Sequence, residues 1–531
     1  MATRRSLWPR TQLWQGGLIA LAECGRFIQL TLDEPGTPGA DSASSGLDKD
    51  VWHTNVKFTW RQAPIPHAAP NGINASAIKG VNVFPIDRIT TGPSLSRRGL
   101  IAAGLGGAAL LGVPALAACS GSSAATSPTA VGSDAKANLV LTSWQIPTDI
   151  VTYKKLVAEY TAAHPGVTIT VQETPGGDFN QWFTTQLAGG SAPDIVRMTW
   201  QQIGRYAENG GVVPLDSYLG SGYGDDFIPA FWKAAQLNGS IHGVPQHTDT
   251  FATYYNKAMI ADLGIQIPKT LDAAWSLDEF RQILVKIKQK TGKYAMVYGF
   301  GGVNTAYRWL PFLYMSGGKL LEQDNKTPAI NNAIGVAAID WFAGLYKDGL
   351  IPASNSIKGA NDANTIKSFA QGDVGLMIYG DWIMADVTKA ISQSEWDITY
   401  MPRDKTAASD LGGNLLTVSK SSKNPAVAAD VIKFICNSAN MKYFCENDLF
   451  LPVRKSLPAS EMHFVQLQPQ MALFTEQATT IPSDMASVET LPAFNAIQAV
   501  LADQLDLCFT GQQTATVAAK NISDGISQAV K

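Results

Sequence analysis

Hydrophobic and polar positions follow two periods along most of the chain, and the switching between them predicts a strand-helix order. "NLVLTSW" (138–144) is a short apolar run ending in an aromatic, the pattern of a buried strand. "DIVTYKKLVAEYTAAHP" (149–165) puts Val151, Leu156, Val157 and Tyr160 on one side and stops before Pro165, which predicts a helix. "GVTITVQET" (166–174) alternates Val167, Ile169 and Val171 as a strand. "FNQWFTTQLAGG" (179–190) predicts a helix closed by Gly189, and "APDIVRMTW" (192–200) another strand. Later helices carry end signals. "SLDEFRQILVKIKQKTG" (276–292) opens with Ser276 and Glu279 at capping-box spacing. Its Phe280, Ile283, Leu284 and Ile287 share a face, and Gly292 follows the basic end. "AIGVAAIDWFAGLYKDG" stops at Gly349, and "NPAVAADVIKFICNS" has Asn424 at the cap and Pro425 in the first turn. Such alternation through 138–531 predicts an α/β protein with mostly parallel sheets. Ligands of such sheets collect at the carboxyl ends of strands.

One apolar stretch breaks both periods. Residues 99–118 are long enough to span a membrane but contain Gly99, Gly104, Gly106, Gly107, Gly112 and Pro114, poor helix formers. Arg97-Arg98, the Gly/Ala/Leu run and Ala117-Ala118 have the order of an export signal. Leu116-Ala117-Ala118-Cys119 resembles the bacterial lipobox, which implies acylation of Cys119 and an anchor of two fatty chains. Residues 96–118 are therefore expected to be a lipoprotein signal peptide, and "SLSRRGLI" also resembles a twin-arginine signal. The Ser/Ala/Thr/Gly stretch 119–136 is expected to be a flexible tether. Residues 1–95 show no sustained periodicity. They are read as an atypical N-terminal extension, disordered or produced by a wrongly placed start, with a cytoplasmic segment as the alternative.

Composition narrows the classes. A formal charge of −3 over 531 residues leaves no basic footprint for nucleic acid. The six His are scattered and no H-E-x-x-H occurs, so neither a metal nor a cofactor is expected. Cys436, Cys445 and Cys508 could form one disulfide outside the cytoplasm.

Several longer stretches carry a family resemblance. They are "APDIVRMTWQQIGRYAENGGVVPLDSYL" (192–219), "GVPQHTDTFATYYNKAMIADLGI" (243–265), "FAQGDVGLMIYGDWIMADV" (369–387), "GGNLLTVSKSSKNPAVAADVIKFI" (412–435) and "LPVRKS" (451–456). In this order they resemble the extracellular solute-binding proteins, family 1, sugar-type receptors of ABC importers. "PKTLDAAWSLDEF" (268–280) departs from that pattern through an insertion that displaces Trp275. The resemblance implies a two-lobed periplasmic-binding-protein-like fold with hinge strands and a ligand cleft between the lobes. Crossovers are expected near Pro245–Tyr255 and Thr399–Arg403. The solute-binding domain would be 137–531, with lobe one about 138–248 and 400–452, and lobe two about 250–398 and 456–531. It further implies a monomer, exported and lipid-anchored on the outer side of the cell membrane, that captures a carbohydrate for membrane permease subunits and performs no catalysis.

A sugar site needs aromatic plates and side chains that both donate and accept hydrogen bonds. Trp144, followed by Gln145, ends the first strand, and Trp200 ends "DIVRMT". Asn304 and Trp309 lie in "NTAYRWLPF". The resemblance adds Gly380, Asp381 and Trp382 of "YGDW", His247 and Asp249 on the hinge side, and Gly413 and Asn414 of "LGGNLL". Arg454 is a candidate hydroxyl donor or anion clamp. Related receptors often carry an acid after the first strand; Gln145 in that place favours a neutral sugar. Two other readings remain open. A glycoside hydrolase would need paired carboxylates, which Asp249 and Asp381 could supply. A receptor for glycerol phosphodiesters would rely on Arg454.

Overall fold

The computed structural model describes residues 27–31, 57–61, 131–175 and 178–531. The chain divides into two units, Met1–Ala115 and Leu116–Lys531. In the first, Phe27–Thr31 and Lys57–Arg61 pair antiparallel. The stretch expected to be a signal peptide (96–118), Cys119 and most of the expected tether lie outside the described residues. Among these, no helix is long and apolar enough to cross a membrane.

Besides a short hairpin, Gln236–Leu237 with Ser240–Ile241, the second unit contains two larger sheets. Strands β1 (Ala137–Ser143), β2 (Val167–Glu173), β3 (Ile195–Thr199), β4 (Val244–His247), β5 (Phe251–Asn256), β6 (Met296–Tyr298), β7 (Leu376–Gly380), β8 (Trp396–Thr399) and β9 (Asn414–Val418) build them. One sheet has the order β2-β1-β3-β9-β4 and the other β6-β7-β5-β8. β1 pairs parallel with β2 and β3, and β6 parallel with β7. β9 and β5 each run antiparallel to both neighbours. The sheets are thus mixed and not mostly parallel. β5 and β9 enter their sheets directly from the other lobe, without the crossover helix that parallel pairing requires. β3, β7 and β9 are almost wholly buried, which explains the continuous apolar run of β7, while Arg197 on β3 and Asn414 and Thr417 on β9 are buried polar residues.

Local signals in the sequence reappear as geometry. Ser276 N donates to Glu279 Oε2 at 2.8 Å and Glu279 N donates to Ser276 Oγ at 3.2 Å. Gly292 closes that helix at φ +68°, a conformation that costs glycine little. Asn424 stands before Pro425, but its side chain makes no cap bond. Val151 is 69 % exposed; Ile150, one position before it, and Tyr153, two after it, face inward instead. Removing the cap hydroxyl by Ser276→Ala is expected to cost about 1 kcal/mol, read by urea denaturation.

The lobes join where the chain leaves β4 at His247 and enters β5 at Phe251. The return comes later than Thr399–Arg403, because Arg403 still bridges Ser276 of the second lobe. It runs through Ser409–Gly413 beside the first crossing. Phe251 N and Thr250 Oγ1 donate to Ser409 Oγ at 3.2 and 2.7 Å, and Gly412 N donates to Asp249 O at 3.1 Å. A third segment joins them, with Thr248 and Leu451 exchanging backbone bonds of 2.8 and 3.0 Å. Farther along, the helix Gln468–Ala478 fixes the second lobe. Its Gln477 Oε1 accepts from Met401 N at 2.9 Å, and Gln470 Nε2 donates to Asp397 Oδ1 at 2.9 Å.

Candidate ligand-binding site

A cleft of about 540 Å³ opens at the strand ends, lined from both lobes and the hinge. On the first lobe Trp144 follows β1. Its Nε1 donates to Asn414 Oδ1 at 2.7 Å, and its ring lies 5.1 Å from Phe179 at 60°. Asn414 begins β9, so one amide fixes the indole from a strand far away in sequence. On the second lobe Trp382 is half-buried in the turn after β7. It lies 5.7 Å from Phe251 and edge-on to Tyr379 at 5.5 Å, with the Arg308 guanidinium 4.9 Å from the ring. Arg308 Nη1 donates to Gly299 O at 2.6 Å, leaving the stacked cation held in place.

The cleft floor is acidic. Asp249, in the first crossing, and Asp381, in the turn after β7, are both buried, and neither Asp381 oxygen has a hydrogen-bond partner among the described residues. Burial, followed by the Asp249 charge, pushes the Asp381 carboxyl well above its usual range. Burial and then Asp410 raise Asp249 to about 7, against the pull of Arg308 and Arg197. Asp410, in the return crossing, is raised by burial to about 7, with Arg308 opposing. Asp448, at the cleft edge, also rises to about 7 through burial and then Asp149. These groups keep protons in the folded chain after the unfolded chain has released them. The stability they contribute is full below about pH 4 and is lost as pH rises through about 7. His247 works oppositely: burial and then Arg197 lower its pKa below 6.5, so its cost fades as pH rises toward that value. The carboxylates outnumber it. The melting temperature is expected to fall by several degrees from about pH 5 to about pH 8. A calorimetric scan showing a rise over that interval would mean that these acids are ionised throughout.

Of the residues singled out in the sequence, Trp144, Gln145, Asp249, Asn304, Asp381, Trp382, Gly413 and Asn414 come together in this cleft. Five do not line it. Trp200 is fully buried at the start of its helix, 5.6 Å from Phe231, because the chain turns inward where the strand ends. Trp309 is fully buried, and it is the preceding Arg308 that reaches the cleft. His247 stands behind the floor, its Nε2 2.8 Å from Arg197 Nη2 and its ring 4.0 Å from Phe450. Gly380 gives room to the protein itself: a Cβ there would fall 1.7 Å from the Trp382 ring. Arg454 lies away from the cleft, giving Nη1 to Asp226 at 2.9 Å and Nε to Cys436 O at 2.8 Å. Cys436, Cys445 and Cys508 are buried free thiols and form no disulfide. Sequence reasoning missed Arg308, Phe179, Tyr307 and Asp362, all lining the cleft. Only Arg308 left a trace, as the charge inside "NTAYRW".

A family model described as bacterial extracellular solute-binding protein matches residues 155–472. A galactooligosaccharide-binding protein of Bacillus subtilis is 26 % identical over 364 residues, 66 % of this chain and 82 % of the relative. A putative binding protein of Brucella abortus is 23 % identical over 366 residues, 68 % of this chain and 85 % of the relative. Among solved structures, the GacH receptor of Streptomyces glaucescens, studied unliganded and with acarbose, superposes with a TM-score of 0.65. It is 24 % identical, and the match covers 75 % of this chain and 99 % of that one. Maltose-bound MalE3 of T. maritima gives a TM-score of 0.63 at 19 % identity, over 74 % and 99 %. This likeness extends to the two-lobed α/β fold.

Proposed function

The chain belongs to the bacterial extracellular solute-binding proteins, a family of binding proteins and not of enzymes, and from that premise we propose that it captures a carbohydrate for an ABC importer. The ligand is an oligosaccharide, passed by the receptor to permease subunits in the membrane. The observation that carries this reading is the pair of indoles, Trp144 and Trp382, one on each lobe of a single cleft that also holds Asp249, Asp381 and Asn414. Indole faces suit the C–H faces of a sugar, and carboxylate and amide groups suit its hydroxyls. Relatives named for galactooligosaccharide, maltodextrin and diacetylchitobiose binding support the same ligand class.

Contacts on both lobes favour the closed form by their differential free energy alone. Moving a population from 1:99 to 99:1 takes about 5.5 kcal/mol. The lobe boundaries that fit this mechanism are about 138–248 with 412–452, and about 250–411 with 456–531. The membership of β8 in one sheet and β9 in the other, with Arg403 bridged to Ser276, supports moving the second junction from about 400 to the return crossing at Ser409–Gly413.

We also propose that acylated Cys119 tethers the receptor to the outer face of the membrane. A relative described as a lipoprotein, from Streptomyces antibioticus, supports this. Intact mass of the membrane fraction should show a diacylated N-terminal cysteine; a chain that retains 1–118 would refute it. The ligand reading is tested by thermal shift and calorimetry against mono- and oligosaccharides, since a ligand of the native state raises the melting point. Saturable binding with the sugar recovered intact is expected. Turnover would support the hydrolase reading, and failure of every carbohydrate to bind would refute capture. The phosphodiester reading loses its anchor, because Arg454 is engaged by Asp226 outside the cleft.

A further inference from the structure

The hinge has a second side. Its segments are extended, so successive residues face opposite ways. Asp249, Gly412 and Phe450 line the cleft. Their neighbours Thr248, Leu411 and Leu451 line a separate cavity of about 430 Å³ behind it. The rest of its wall comes from the helix Pro229–Ala234, the segment 452–462, and the facing ends of the helices Gln468–Ala478 and Ser483–Glu489.

This wall is chemically unlike the cleft. It is built mainly by Phe231, Leu411, Leu451, Leu457, Met462 and Ile481. None of the residues lining it is acidic, whereas Arg454 and Lys455 both border it. Arg454 is held by Asp226. Lys455 is exposed and makes no ion pair among the described residues. The volume is in the range that holds small molecules. A sugar would lose hydrogen bonds on such walls, and a cation would meet Lys455 with no acid on the wall.

We propose that this cavity is a second ligand site, taking an apolar molecule that ends in one carboxylate, as a medium-chain fatty acid does. The chain packs between Phe231, Leu457 and Met462, and the carboxylate reaches Lys455. Because the same three segments floor both cavities, an occupant here also restrains the hinge.

The full chain can be titrated calorimetrically with straight-chain carboxylates from hexanoate to dodecanoate. One saturable site is expected, tightening roughly fourfold per added methylene until the cavity is full, then levelling. Ala478→Trp and Thr479→Trp each crowd the cavity and are expected to abolish decanoate binding, with folding checked by melting temperature. Lys455→Gln is expected to weaken decanoate about threefold, the size of an exposed charge pair, and to leave 1-decanol unchanged. On the unmodified protein, decanoate should slow hydrogen exchange at 226–234, 451–462 and the hinge segments 248–250 and 409–413. The proposal is overturned by affinity that climbs through dodecanoate without levelling, by binding that survives both folded tryptophan variants, or by protection confined to the cleft at 144–148 and 301–308.

Discussion

Arg197→Met is expected to destabilise the protein by about 3–5 kcal/mol, a large share of the 5–15 kcal/mol typical of a folded domain. Arg197 is buried on β3 and ion-paired with Asp149, itself wholly buried. The guanidinium also gives Nη1 to Ser143 Oγ at 3.0 Å and lies 5.6 Å from the Phe444 and Phe450 rings. Methionine fills much of the volume but leaves the Asp149 carboxylate without its cation. One of its oxygens already lacks a partner. The cost therefore comes from the stranded charge and not from lost packing. Arg197→Met combined with Asp149→Leu should recover most of the loss, because removing both charges also removes the desolvation penalty. Urea denaturation of the two variants decides this: equal destabilisation in single and double variant would mean that packing, and not charge, carries the site.

Trp382→Ala is expected to weaken carbohydrate binding by ten- to a hundredfold, about 1.4–2.8 kcal/mol. The indole lines the cleft and is positioned by Phe251, Tyr379 and the Arg308 cation. Alanine removes that plate, while Arg308 keeps its bond to Gly299 O. Trp382→Phe should restore most of the affinity, since a smaller ring still stacks. Melting curves separate lost binding from lost folding. Unchanged calorimetric affinity in a folded Trp382→Ala variant would remove this residue from the site.

How far the sequence could be read followed the range of the interactions. The capping box at Ser276 and Glu279 was legible because both partners lie within one helical turn. Trp144 was found by its position after a strand, a rule about backbone direction. The same rule failed at Trp200, where the following residue begins a helix and the side chain turns into the core. Trp309 and Arg308 are adjacent, and nothing in "NTAYRWLPF" says which of the two faces ligand. Packing of the helix Phe494–Phe509 against that turn decides it. For Arg454 a ligand contact and a structural ion pair were equally open in the sequence, because Asp226, its partner, lies 228 residues away.

By itself the sequence determined the order of strands and helices, the family, and the strand-end placement of the cleft. Each is set by local periodicity or by ordered motifs. Only the tertiary structure decided which aromatics and charges face the cleft. It also decided that the sheets are mixed and that the chain recrosses at Ser409–Gly413. Side-chain direction and burial depend on residues brought together from distant parts of the chain. The shift of Asp249 and Asp410 to about 7 is one such result: neither acid is unusual until folding removes its water and, for Asp249, sets Asp410 beside it.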